Sequence, residues 1–270
     1  MLLPDLPTEL LDHIVDLLHD ETDALKGCCL VSKSWIPRTR KYLFADVKFR
    51  TMANLQAWKK LFPDPSTSPA FYAKSLFVGC HTGVTASDAE EGGWIWSFSR
   101  VVHLKVYIHE AGSYCSDTSL VPFHGLSPTI TSLDITFVSF PCLPIFNLIY
   151  SFPLLEDLTL VSHYMIYNSG DPDEQLAIAQ LRNAPAFSGS LMLSVWGGMG
   201  SIVPQLLSLT DFFHFQKLTL ALRREDEDLM ATAMVERCSS TLESLTIDCC
   251  ETHTSIPHSR SHRRLTSVHR

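Results

Sequence analysis

A chain of 270 residues with 46% apolar and 19% charged side chains can bury the core of one large domain, or of a small domain attached to a larger one. Its formal charge of -8 argues against nucleic acid or anionic membrane as a general partner. The acidity sits in the body, where residues 51–250 carry 10 Lys/Arg against 20 Asp/Glu, while residues 251–270 carry 4 against 1.

The first element is a helix. Wound at about 100° per residue, Leu10, Leu11, Ile14, Val15, Leu17 and Leu18 fill one arc of roughly 160°. Asp12, His13, Asp16, His19 and Asp20 fill the opposite arc, and Asp12, Asp16 and Asp20 are expected to stay in water. A second helix holds Ala24, Leu25, Cys28, Cys29 and Val31. A third begins near Ser32 or Ser34, either of which can cap it, with Pro37 in its first turn. Three helices in so short a segment cannot cover all that apolar surface. The surplus needs a partner, either the rest of the chain or another protein.

From here on the chain repeats. The segments "SLFVG", "HLKVYI", "SLDITF", "DLTLV", "SLMLSV", "KLTLAL" and "SLTID" share an apolar–x–apolar pattern. Their lead leucines are Leu76, Leu104, Leu133, Leu158, Leu191, Leu218 and Leu245, at separations of 28, 29, 25, 33, 27 and 27 residues. "ADVKF" places Val47 another 29 residues earlier. Helical segments fall between these strands: "TMANLQAWKKLF" with Thr51 as N-cap, "DPDEQLAIAQLRN", "GSIVPQLLSLTDFF" with Pro204 near its first turn, and "EDEDLMATAMVERC". Eight strands in strand–helix units predict an α/β solenoid with a curved parallel sheet over residues 47–250. A doubly wound α/β domain is the alternative, but the phosphate-binding loop that would support it is not found. The units resemble degenerate leucine-rich repeats. Where that family places Asn or Cys, five residues past the lead leucine, this chain has His81, His109, Val138, His163, Trp196, Arg223 and Cys250.

The opening segment, "LPTELLDHIVDLL...LKGCCLVSKSWIPRTRKYLF", resembles an F-box over residues 3–46. Leu6-Pro7, Glu9-Leu10-Leu11, Ile14, Leu18, Leu25, Leu30-Val31-Ser32, Trp35 and the stretch from Arg40 to Phe44 carry the resemblance. Together with the irregular repeats, this arrangement is similar to the F-box proteins of basidiomycete fungi. The resemblance implies a three-helix F-box over residues 1–46 and a Skp-type adaptor as partner, which would join the chain to a cullin–RING ubiquitin ligase. By motif match, Leu6, Pro7, Leu10, Ile14, Leu18, Val31, Ser32 and Trp35 would touch the adaptor. Leu11, Val15, Leu25 and Cys28 would form the internal core of the helices.

In such a solenoid the lead residue of each strand and the residue two later point inward, and their neighbours line the concave face. That face would hold Phe77, His103, Lys105, Tyr107, Asp134, Asp157, Met192 and Lys217. Its mixed charges and large side chains suit a protein target better than a phosphate backbone.

No catalytic constellation is evident. "VWGGMGSIV" fits neither nucleotide-binding glycine pattern, and the Cys/His-rich "CCETHTSIPHSRSH" fits no zinc finger. The expectation is a non-enzyme with no cofactor and no metal. Residues 251–270 read as a basic, disordered tail, either native or shortened. No signal peptide is evident, and the most apolar stretch, "PCLPIFNLIYSFPLLEDL", is broken by prolines and Asn147, against a membrane span. The eight cysteines form no CxxC and read as reduced thiols in an intracellular protein, cytoplasmic or nuclear. The leading expectation is a substrate receptor that holds an unidentified protein target near a ubiquitin-transfer machine. The alternative is a non-degradative interaction scaffold.

Overall fold

Helix α1 spans Thr8–Leu17 in the computed structural model, which describes residues 7–79, 94–108, 117–126, 128–137, 142–162, 188–195, 202–208, 214–222, 228–249 and 263–265. Helix α2 (Thr22–Val31) follows, and Ser32 caps a 3-10 turn, Lys33–Trp35, by accepting from the Ser34 N–H at 3.3 Å. The turn leads directly into α3 (Ile36–Leu43), with Pro37 in its first turn, where the missing N–H has no helical partner to lose. Val15, Leu25 and Cys28 are buried among these helices, and Leu11 is half-buried.

Strand β1 (Asp46–Phe49) opens the sheet, and α4 (Met52–Leu61) packs behind it. Thr51 Oγ1 accepts from the Asn54 N–H at 3.3 Å, and Asn54 Oδ1 accepts from the Thr51 N–H at 3.2 Å, a reciprocal cap. The remaining strands are β2 (Ser75–Gly79), β3 (His103–Ile108), β4 (Ser132–Phe137), β5 (Asp157–Ser162), β6 (Ser190–Val195), β7 (Lys217–Leu222) and β8 (Ser244–Cys249). They form one parallel sheet whose spatial order is the sequence order. The fold is therefore α/β with a single eight-stranded parallel sheet, extended by one antiparallel strand at its far edge.

The register follows from the repeat. Val47, Leu76, Leu104, Leu133, Leu158, Leu191, Leu218 and Leu245 stand opposite one another along the whole sheet. The residues two later form a second ladder from Phe49 through Val78, Val106, Ile135, Leu160, Leu193 and Leu220 to Ile247. Both ladders are buried as far as β7, while Leu245 and Ile247 are only partly covered. A recurring backbone bond sets this alignment. The carbonyl two residues before each lead position accepts from the next strand: Ala45 from Lys74 and Ser75, Lys74 from Val102 and His103, Val102 from Thr131 and Ser132, and so on to Gln216. Gly189 breaks the pattern, since only Ser190 N–H reaches the Glu156 carbonyl there. A Cβ at Gly189 would lie 1.8 Å from that same oxygen. This departure sits at the end of the longest repeat step.

Helices and 3-10 turns cover the ladder side. Helix α5 (Cys142–Tyr150) buries Ile145, Phe146, Leu148 and Ile149, helix α6 (Ile202–Ser208) buries Val203 and Leu206, and helix α7 (Asp228–Cys238) buries Ala231, Met234 and Cys238. Pro144 and Pro204 are each the third residue of their helix, where proline is tolerated. The helix expected over "DPDEQLAIAQLRN" lies outside the described residues. At the junction with α1–α3, Phe44, Phe49, Trp58, Phe62, Trp94 and Phe98 pack edge-on or tilted, at centroid distances of 4.8–6.4 Å. The continuous core runs from Val47 to Cys238 and does not take in Val15, Leu25 or Cys28.

Two expectations need correction. Asp12 and Asp16 are not left freely in water, because both are half-buried and Asp16 is engaged by α3. The segment 251–270 is not wholly without structure either, since β9 (Arg263–Leu265) pairs antiparallel with β8. The physical reason is that β8 ends the parallel array and leaves an unpaired row of N–H and C=O groups. No helix among the described residues is long and apolar enough to cross a membrane.

Candidate functional site

Two surfaces stand out, and the first is on α1 and α2. The wide apolar arc of α1 is divided. Val15 is 1% exposed, whereas Leu10, Ile14 and Leu17 are 51%, 38% and 69% exposed. These three follow i, i+4, i+7 spacing, within about 60° of helix circumference. At the C-terminal end of α2, Leu30 and Val31 are 89% and 72% exposed. Five of the twelve large apolar side chains exposed among the described residues thus fall between Leu10 and Val31. Isolated exposed leucines are ordinary, so the concentration of five in this short stretch is the feature that needs a reason.

Of the residues implied by the F-box resemblance, Pro7, Leu10, Ile14 and Val31 are exposed, and Leu18, Ser32 and Trp35 are half-buried. Leu6 lies outside the described residues. Leu17 and Leu30 lie outside the set that the resemblance implies, although both are more exposed than Leu10. The signal for Leu17 was its place in the apolar arc, and for Leu30 its place beside Val31.

A polar cluster joins α1 to α3. Arg38 on α3 donates through Nε to Asp16 Oδ1 at 2.7 Å and through a second guanidinium nitrogen to Oδ2, a bidentate pair. The Tyr42 hydroxyl donates to Asp16 Oδ1 at 2.6 Å. The hydrogen bonds from Arg38 and then Tyr42 hold the Asp16 carboxyl well below the usual carboxylate range. The same carboxylate raises both Arg38 and Tyr42 above their ordinary values, so the guanidinium stays charged and the phenol stays protonated. The His19 ring lies 6.1 Å from the Tyr42 ring and closes the end of the cluster.

The second surface is the sheet face opposite the ladders. In register along one row lie Lys48, Phe77, Lys105, Asp134, Thr159, Met192, Thr219 and Thr246. The row on one flank contains His103, Asp157 and Lys217, and the row on the other flank of the same face contains Tyr107. The sheet thus brings all eight residues expected on this face to one side. His103, Lys105, Asp157, Met192 and Lys217 are exposed, and Phe77, Tyr107 and Asp134 are half-buried. Lys105 pairs with Asp134 directly across β3–β4, Lys48 pairs with Asp46, and Ser190 donates to Asp157. One Asp134 oxygen, Oδ1, is buried without a partner. From β5 to β8 the central row is neutral, with Thr159, Met192, Thr219 and Thr246, while Asp157, Lys217 and Asp248 carry charge in the flanking rows.

Cys28, Cys29 and Cys238 are free thiols, and burial pushes the Cys238 thiol up, which keeps it protonated. Among the described residues no group of three His, Cys, Asp or Glu side chains could hold a metal ion. The turn positions 81, 109, 138, 163, 196, 223 and 250, the glycine-rich residues 196–201 and most of the Cys/His-rich tail lie outside the described residues. No family model, curated protein or solved structure matches the chain.

Proposed function

We propose that this chain is an F-box protein, the substrate-receptor subunit of a Skp–cullin–F-box ubiquitin ligase, with no catalytic chemistry of its own. Helices α1–α3 form the F-box and take a Skp-type adaptor. The parallel sheet is the inner layer of a leucine-rich-repeat-like solenoid, and its open face takes a protein target. The observation that carries this proposal is the exposure of Leu10, Ile14, Leu17, Leu30 and Val31 on helices that bear the F-box motif. Three helices that bury Val15, Leu25 and Cys28 among themselves and leave those five side chains in water are arranged for helix-on-helix docking. The unbroken Val47-to-Leu245 ladder and its strict sequence order support the solenoid. Function then follows from proximity. Bridging adaptor and target raises the effective concentration of target lysines near the ubiquitin-carrying enzyme.

The test is co-purification of the full chain with a Skp-type adaptor, alongside a Leu10→Asp/Val31→Asp variant. Trp35 is a poorer choice for mutation because it is half-buried, so its truncation would disturb the free chain as well as the interface. Each replacement removes about 1.5–3 kcal/mol of apolar burial at the interface, so the pair should weaken binding by about a hundredfold or more. Both residues point into water in the free chain, so its circular dichroism and melting temperature should not change. Adaptor binding that survives this variant would sink the assignment. Ubiquitin-remnant profiling with and without the chain then separates receptor from scaffold, because a scaffold leaves the remnants unchanged.

A further inference from the structure

Helix α1 carries most of the exposed apolar face, yet little of its own surface is buried against its neighbours. Its one fully buried side chain is Val15. Its N-cap is Pro7, which makes no side-chain capping bond. What joins it to α3 in addition is the Asp16 cluster, with both carboxylate oxygens engaged by Arg38 and one also by Tyr42. Asp16 is two residues from Ile14 and one from Leu17, so anything that fixes Asp16 also fixes the rotation of that face about the helix axis. Arg38 and Tyr42 are four apart on α3 and therefore reach from the same side of that helix.

We propose that Asp16 is a positioning residue. Through Arg38 and Tyr42 it sets the rotation of α1 so that Pro7, Leu10, Ile14 and Leu17 are presented to the partner together with Leu30 and Val31. This rests on the reading of that face as an adaptor-binding surface. Asp16 itself points away from the face and touches no partner there. A bidentate guanidinium–carboxylate pair suits the task because its planar fork restrains orientation as well as distance. With the latch cut, α1 retains Val15 as a pivot and samples other rotations. The partner must then capture a helix that is no longer preset, and association slows.

The experiment uses the full chain as wild type, Asp16→Asn, and the charge-swapped pair Asp16→Arg/Arg38→Asp. Adaptor association and dissociation rates are measured alongside backbone hydrogen exchange. The expected result for Asp16→Asn is an affinity at least tenfold weaker, mainly through a slower association rate. Exchange should accelerate over Glu9–Leu17 and stay unchanged over β1–β8, and the swapped pair should recover most of the lost affinity. Wild-type binding by Asp16→Asn, exchange accelerated throughout the sheet, or no recovery in the swapped pair would each overturn the proposal. If the wild type binds no adaptor, the F-box reading fails by itself. The latch is then judged on exchange alone: acceleration confined to α1 upholds it, and unchanged exchange overturns it.

Discussion

Truncating one side chain in the middle of the second ladder and another at its end tests the core most directly. Ile135 is fully buried on β4 between Val106 and Leu160, its register neighbours on β3 and β5. Ile135→Ala removes three carbon groups at about 0.8 kcal/mol each, or about 2.4 kcal/mol of transfer free energy. Packed strands on both sides and the helical layer above cannot collapse into the space, so a cavity cost of about 1–2 kcal/mol adds to it. The total of about 4 kcal/mol should lower the urea midpoint by about 1.3 M, taking a slope near 3 kcal/mol/M. Ile247 occupies the same ladder position on β8 but is only partly covered, with the three-residue β9 beyond it. Ile247→Ala should therefore cost about 1–2 kcal/mol, at most half as much, since part of the side chain already meets water. Equilibrium urea unfolding followed by tryptophan fluorescence reads both. Equal midpoint shifts would refute the burial gradient along the sheet, and a shift below about 0.3 M for Ile135→Ala would refute the ladder as the core.

Two glycines should respond in opposite directions to alanine. Gly27 lies within α2 with nothing within 4 Å of a built Cβ, so Gly27→Ala should stabilise by about 0.5–1 kcal/mol. Gly189→Ala should destabilise by about 1–3 kcal/mol, because its Cβ would enter the Glu156 carbonyl and force β5 and β6 apart. Thermal melts check both, and a matching sign for the two would contradict the geometry. The Asp16 latch should also respond to pH. Its folded carboxyl titrates below the ordinary value near 3.9, so its contribution is fully present above about pH 4 and fades as pH falls further toward the folded value. Protection factors of α1 amides should drop over that acid range in the wild type and be low throughout in Asp16→Asn. Identical acid profiles would rule the latch out as the cause.

The repeat was legible because a parallel register turns a sequence period into a spatial ladder. Once Leu76, Leu104 and Leu133 recur with the same x-apolar partner two residues on, adjacent pairing places them in one column, and the alternating side chains must form the opposite face. The N-cap at Thr51 and the position of Pro204 were legible for a similar reason, since each acts within a single helical turn. Other features are not local. Helix α5 was hidden because "CLPIFNLIY" is apolar nearly all round and has no amphipathic stripe to announce a helix. The Asp16 cluster was hidden because a helical wheel sorts residues by polarity alone, and it assigned Asp16 to water. Its partners Arg38 and Tyr42 lie 22 and 26 residues away, and only the packing of α1 against α3 brings them within hydrogen-bonding distance. The division of the α1 stripe also depends on that packing. Sequence determined that Leu10 to Leu18 would form an apolar face wider than three short helices could cover. Tertiary structure decided that Val15 would be buried while Leu10, Ile14 and Leu17 stay in water, because α3 can shield only one edge of that stripe.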